Sequence, residues 1–247
     1  MNKIKLALVS YINTTPFIEA IKSSEDLNSK VELITDYPSK CAELIKNKQV
    51  DGGLIPVGAL HENPDLEIIT NYCIGADGAV DTVALFSNQS LSEIKTIYLD
   101  YQSRTSVQLI QILAREYWKK TFLFLPTQKG FEDDIPKDSA ILIIGDRVFK
   151  YNQNYKYKID LAEEWKKQTQ LPFVFAVWVG NAKTKSIENE LNKSFSKSLS
   201  NIPILYNDLL TIDYNTFVDY LSRKIDYTLD DKKLKAIQLF TQFLNYR

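Results

Sequence analysis

Short apolar runs alternate with segments of helical period along the first part of the chain. Ile4 to Val9 reads as a strand. A helix is expected from Pro16, behind Thr14 and Thr15, where a hydroxyl can cap and proline suits the first turn. Val31 to Thr35 predicts a second strand. Pro38 to Lys48 predicts a helix whose apolar stripe is Cys41, Ala42, Leu44 and Ile45, and Leu54-Ile55-Pro56 ends a third strand. This β-α-β-α-β opening favours a mostly parallel sheet with right-handed crossovers.

The rhythm then changes. Strands are predicted at Val80 to Ser87, Thr96 to Leu99, Phe122 to Leu125 and Ile141 to Ile144, with helices at Ser103 to Trp118 and Asp160 to Thr169. The polar, aromatic stretch from Tyr151 to Lys158 reads as a surface loop. Pro172 to Val179 is a buried strand, and three helical stretches follow: Ser186 to Ser198, Tyr214 to Lys224 and Asp231 to Tyr246. An economical arrangement leaves a first lobe near Phe86, builds a second, and returns near Val177. The expectation is an α/β protein of two lobes, residues 1–86 with 178–247 and residues 87–177, with a ligand cleft between them.

Composition narrows the chemistry. The 247 residues are 45% hydrophobic and 25% charged, which fits a soluble globular protein. With 30 basic and 31 acidic residues, nothing draws the chain to nucleic acid or to an anionic membrane surface. No apolar run approaches the roughly 18 residues of a membrane span. The N-terminal run is short and lacks a small-residue cleavage site, so a cytoplasmic location is expected. Cys41 and Cys73 stand far apart, predicting no disulfide framework and no thiolate zinc site. His61 is the sole histidine and reads as a surface residue, which argues against Ser-His-Asp catalysis and His-rich metal sites. With 8 glycines and no phosphate-loop or dinucleotide fingerprint, a nucleotide-cradling loop has little material. Oligomeric state is not legible.

Candidate chemistry clusters where strands end. Asp100-Tyr101-Gln102-Ser103-Arg104-Thr105-Ser106 follows a strand and opens a helix. Backbone N–H groups, the hydroxyls of Ser103, Thr105 and Ser106 and the planar fork of Arg104 suit a carboxylate there; simple N-capping is the plainer alternative. After the first strand, Ser10, Tyr11 and Asn13 occupy the equivalent position, and Pro56 ends the third strand. The Asn13 amide can donate and accept at once, though a turn residue bonding its own backbone reads equally well. Thr82 can point a hydroxyl toward the cleft. Asp146, behind Ile144 and Gly145, reads as a base or as a helix cap. Phe175 and Trp178 offer flat aromatic faces, or simply belong to the core.

The segments SYINTTPF, DGGLIPVGAL, GADGAVDTVALFS, LDYQSRTSVQLIQIL, ILIIGD and DLAEEWKKQTQLPFVFAVW, in this order, closely resemble the chorismate dehydratases of the futalosine route to menaquinone. The resemblance spans about Ser10 to Trp178. It implies the two-lobed periplasmic-binding-protein type II fold and a cofactor-free lyase converting chorismate to 3-[(1-carboxyvinyl)oxy]benzoate. By that resemblance Asn13, Thr82 and Asp146 are the catalytic candidates. Ser10, Tyr11, Pro56, Ser103, Arg104, Thr105, Ser106, Phe175 and Trp178 are the substrate-binding ones. The family often carries Arg where this chain has Thr15, and Ser where it has Thr82, which keeps a hydroxyl. The alternatives are a non-catalytic binding protein for a small carboxylate and a ligand-sensing regulatory domain.

Overall fold

A computed structural model describes residues 3–245 other than 134, 137, 152 and 153. Strands β1 (Ile4–Val9), β2 (Val31–Asp36), β3 (Gly52–Pro56) and β4 (Glu67–Ala76) lie in a first sheet. Strands β5 (Val83–Ser87), β6 (Thr96–Leu99), β7 (Leu123–Pro126), β8 (Ser139–Ile144) and β9 (Tyr157–Asp160) form a second. Strands β10 (Phe173–Gly180) and β11 (Asp226–Thr228) return to the first. The spatial orders are β11-β4-β10-β3-β1-β2 and β7-β6-β8-β5-β9.

The opening unit is parallel as expected, β1 pairing with both β2 and β3. Both sheets are nonetheless mixed, because β10 runs antiparallel to β3 and β4, and β5 antiparallel to β8 and β9. Sheet membership puts the first crossing between Ala76 and Val83, ahead of the expected position at Phe86. The return falls between Asp160 and Phe173 rather than near Val177. The reason is packing: Ala84 and Phe86 join Ile141, Ile143 and Val148 in a cluster on the second sheet. Each crossing contains a non-glycine residue with positive φ, Asp81 (+66°) and Gln170 (+61°).

Three strands escape the periodicity. In β4, Thr70, Asn71 and Tyr72 interrupt the apolar run, and its pairing with β10 shifts register twice, so no clean alternation survives. Strand β9 begins in the last two residues of the stretch read as a surface loop and runs to Asp160; it is an edge strand with Tyr157 exposed, while 152 and 153 fall outside the described residues. Strand β11 is too short to signal itself.

The helices cover the outer faces. Thr15–Ser23 buries Phe17, Ala20 and Ile21, and Phe17 meets Trp178 and Phe195 edge-on or tilted, Phe195 coming from the tail helix Glu188–Leu199. The last helix, Asp231–Asn245, sets Phe240 against Trp165 and Phe173; Tyr246 lies outside the described residues. The expected Ser103–Trp118 helix is α-helical over Thr105–Ile112 and then widens into a π-helical segment over Leu113–Trp118. A second π-helical turn, Tyr220–Lys224, closes the helix that begins at Tyr214.

Candidate active site

The carboxyl ends of the parallel strands face each other across the gap between the sheets, the place where open α/β sheets bind ligands. A cavity of about 60 Å³ lies there. Strand β1 delivers Tyr11 and Asn13, β3 delivers Pro56, β8 delivers Gly145, and the turn after β6 delivers Ser103, Thr105 and Ser106. The first crossing contributes Thr82 and the central strand β10 contributes Phe175. Leu54, Ile74, Val80, Val83 and Ile144 complete walls that are mostly apolar, and no charged side chain lines them among the described residues.

One polar corner comes from a single stretch of chain. Ser103 Oγ accepts the N–H of Ser106 at 2.9 Å, so it caps the Thr105–Ile112 helix while its own O–H stays available. Thr105 Oγ1 accepts from the Gly58 N–H (3.1 Å) and donates to the Phe175 carbonyl (3.3 Å), which ties the helix start to both β10 and the turn after β3. The Asp100 carboxylate holds the turn by accepting from the N–H groups of Gln102 and Ile144. Burial pushes its pKa up, against the lowering pull of Arg147, which pairs with it at 2.5 Å.

The other corner is assembled from distant segments. Thr82, 1% exposed, shares a 2.8 Å hydrogen bond with the Tyr220 hydroxyl. Asn13 donates from Nδ2 to the same hydroxyl at 3.3 Å, and its backbone carbonyl accepts from the Tyr227 hydroxyl at 2.9 Å. Thr14 fixes the turn, its hydroxyl lying 2.6 Å from the Val9 carbonyl and 2.7 Å from that of Tyr11. Burial drives the Tyr220 pKa upward, so its phenol stays protonated.

Between the corners runs a seam joining the two sheets. The Tyr11 ring lies flat on Gly145, where an added Cβ would stand 2.8–2.9 Å from three ring carbons and where φ is +69°. Tyr11 donates its hydroxyl to Gln102 Oε1 at 2.5 Å, and Arg147 donates to the same oxygen at 3.2 Å. Both oxygens of Asp146 face the Ile12 N–H, at 3.2 and 3.0 Å. Burial raises Asp146 to about 6.

Of the residues singled out from the sequence, Tyr11, Asn13, Pro56, Thr82, Ser103, Thr105, Ser106 and Phe175 line one cavity. Four do not. Ser10 is exposed, its N–H bonded to the Asp36 carbonyl. Arg104 turns outward to Glu62 at 2.8 Å, and Glu62 also takes Lys46. Asp146 sits behind the cavity wall on the Ile12 N–H. Trp178 is 0% exposed in the helix-covered core, packed against Phe17 and Phe195 and not among the cavity-lining residues. Sequence reasoning missed Tyr220, Tyr227 and Gln102. Tyr220 sits in a stretch read only as helix and Tyr227 between two predicted helices, with nothing local to mark either.

No helix among the described residues is long and apolar enough to cross a membrane, and no group of three or more His, Cys, Asp or Glu among them could hold a metal ion. Residues 4–246 match the family model described as menaquinone biosynthesis. A chorismate dehydratase of Thermus thermophilus is 25% identical over 199 residues, covering 72% of this chain and 70% of that protein. A second, of Campylobacter jejuni, is 32% identical over 111 residues, covering 43% of this chain and 49% of that protein. A Candida albicans protein with the generic periplasmic-binding-protein fold superimposes with a TM-score of 0.67 at 12% identity, covering 99% of this chain and 95% of that one.

Proposed function

Since this chain belongs to the menaquinone biosynthesis family, we propose that it is a hydro-lyase that dehydrates chorismate to 3-[(1-carboxyvinyl)oxy]benzoate, the first step of the futalosine route. The observation that carries this reading is the cavity itself: a mostly apolar slot whose two polar corners hold hydroxyls and an amide. Such a lining suits a flat six-membered ring bearing oxygen groups on opposite sides.

The reaction is an elimination. The C–H bond at the ether-bearing ring carbon breaks, and its electron pair spreads through a ring double bond into the ring carboxylate. The ring then becomes aromatic as the neighbouring C–O bond breaks, with both electrons leaving on hydroxide. Hydroxide and the abstracted proton leave as water. The protein must hold the ring, stabilise charge growing on the carboxylate and assist the departing hydroxyl.

Ser103 and Ser106, with the start of the Thr105–Ile112 helix, take the ring carboxylate; the helix dipole and free N–H groups favour negative charge there. Thr105 contributes by fixing that corner. Asn13 and Thr82 face the leaving hydroxyl. Tyr11, Pro56 and Phe175 wall the ring. The substrate's own enolpyruvyl carboxylate takes the proton. Asp146, whose oxygens are occupied by the Ile12 N–H outside the cavity lining, serves as a clasp between the sheets. Arg104 and Trp178 act on the fold. A cytoplasmic location goes with this reading and is tested by cell fractionation.

Incubation with chorismate is the test. An aromatic enol-ether product, followed by ultraviolet absorbance and mass, is expected. Binding of chorismate with no product after many hours would instead make the chain a carboxylate-binding protein.

A further inference from the structure

Tyr220 lies 138 positions from Thr82 and 207 from Asn13, yet its hydroxyl touches both. The side chain sits on the first residue of the π-helical turn Tyr220–Lys224, and the ring packs edge-on to Phe149 at 5.4 Å. The hydroxyl is fully buried, so its hydrogen must find an acceptor within the protein.

Hydrogen-bond polarity follows from the inventory of donors. Asn13 Nδ2 carries only hydrogens, so at that contact the Tyr220 oxygen is the acceptor. The phenolic hydrogen then goes to the remaining neighbour, Thr82 Oγ1 at 2.8 Å. Once Thr82 has accepted, its own hydrogen is free to turn away from Tyr220. Both Thr82 and Asn13 line the cavity, which leaves that hydrogen and the Asn13 Oδ1 available to a molecule bound there.

We propose that Tyr220 is a positioning residue that orders the chain Asn13 → Tyr220 → Thr82, so that Thr82 presents a hydrogen-bond donor, and Asn13 an acceptor, to the substrate's departing hydroxyl. This rests on the dehydratase reading of the same cavity. Thr82 lends a hydrogen bond to the oxygen as the C–O bond breaks and keeps its own proton. Without Tyr220 both groups keep their place but lose their orientation. The effect belongs to the chemical step, when charge builds on oxygen, rather than to ground-state binding.

The experiment compares Tyr220→Phe, Thr82→Val, Thr82→Ser and the Tyr220→Phe/Thr82→Val double variant, with chorismate as substrate and thermal unfolding as a control for folding. Tyr220→Phe keeps the ring and is expected to lower kcat about tenfold with KM within about twofold, a change worth roughly 1.4 kcal/mol in the barrier. Thr82→Ser should keep most of the wild-type rate, because the hydroxyl survives. The double variant should be little worse than Thr82→Val, because both changes remove one relay. A Tyr220→Phe enzyme within twofold of wild type in kcat overturns the proposal, and so does a double variant whose loss is the product of the single losses. A Tyr220→Phe protein that unfolds leaves the Thr82 pair decisive: a Thr82→Val rate equal to wild type also overturns it. Wild-type protein that leaves chorismate unchanged removes the dehydratase reading, and the relay with it.

Discussion

The two polar corners of the cavity are built in opposite ways. The Ser103–Ser106 corner is four consecutive residues between a strand and a helix, and its geometry follows from how any such helix begins. The Asn13–Thr82 corner joins the end of β1, the first crossing and a tyrosine from the C-terminal third, and it exists only once the chain is folded. The first corner is robust and generic; the second is exacting and particular to this fold. Affinity is therefore expected to reside mainly in the first and turnover mainly in the second.

Substitutions can break that division. Asn13→Ala should have the largest effect, lowering kcat by more than about tenfold in the chorismate assay; an unchanged rate would remove Asn13 from the site. Gly145→Ala comes next. Its Cβ would strike the Tyr11 ring, and a φ of +69° strains any side chain, so a loss of about 1–3 kcal/mol in stability is expected together with a several-fold drop in kcat/KM. Thermal unfolding and kinetics on one preparation check both. Ser106→Ala should raise KM about fivefold, equivalent to one hydrogen bond of about 1 kcal/mol, with kcat nearly unchanged. A selective fall in kcat there would erase the distinction between the corners.

Asp146→Asn is expected to keep turnover within about threefold, because an amide oxygen still accepts from Ile12; a hundredfold loss would make Asp146 the base. Its signature is in stability. The native carboxyl is raised from 3.8 to about 6 by burial, so between about pH 4 and 6 the folded chain holds a proton that the unfolded chain releases. Stability therefore falls as pH rises through that window, and the loss is complete above about 6. The asparagine variant lacks this loss and should gain on wild type between pH 4 and 7, by on the order of 2–3 kcal/mol in urea titrations. Arg104→Ala should do least, changing kcat/KM by less than about twofold, because its partly exposed pair with Glu62 faces away from the cavity.

The same contrast explains what was legible in the sequence. The β-α-β-α-β opening, the strand–turn–helix at Asp100–Ser106 and the buried strand at Pro172–Val179 are local patterns with strong period or capping chemistry, and they stand in the structure close to where they were read. Arg104 and Trp178 are suggested by their place in the chain and their side-chain chemistry, but orientation is not a local property. Trp178 packs on Phe17 and Phe195 in the core rather than beside Phe175 in the cavity, and Glu62, 42 positions away, turns Arg104 outward. Strand β4 was hidden by the register shifts that let it bend around β10. Tyr220 and Tyr227 were invisible because only the tertiary path brings them to Asn13.

Strand β10 sits between β3 and β4 in the first sheet, and the tail supplies both the edge strand β11 and the tyrosines behind Asn13. On the ribosome, then, the opening unit emerges with a gap beside β3 that stays open until β10 has been made. The inserted second sheet, complete by Asp160, has all its strands earlier. Closure of the first sheet, and of the corner around Asn13, therefore waits on β10 and on the segment that carries the two tyrosines, whereas the second sheet can close before either exists.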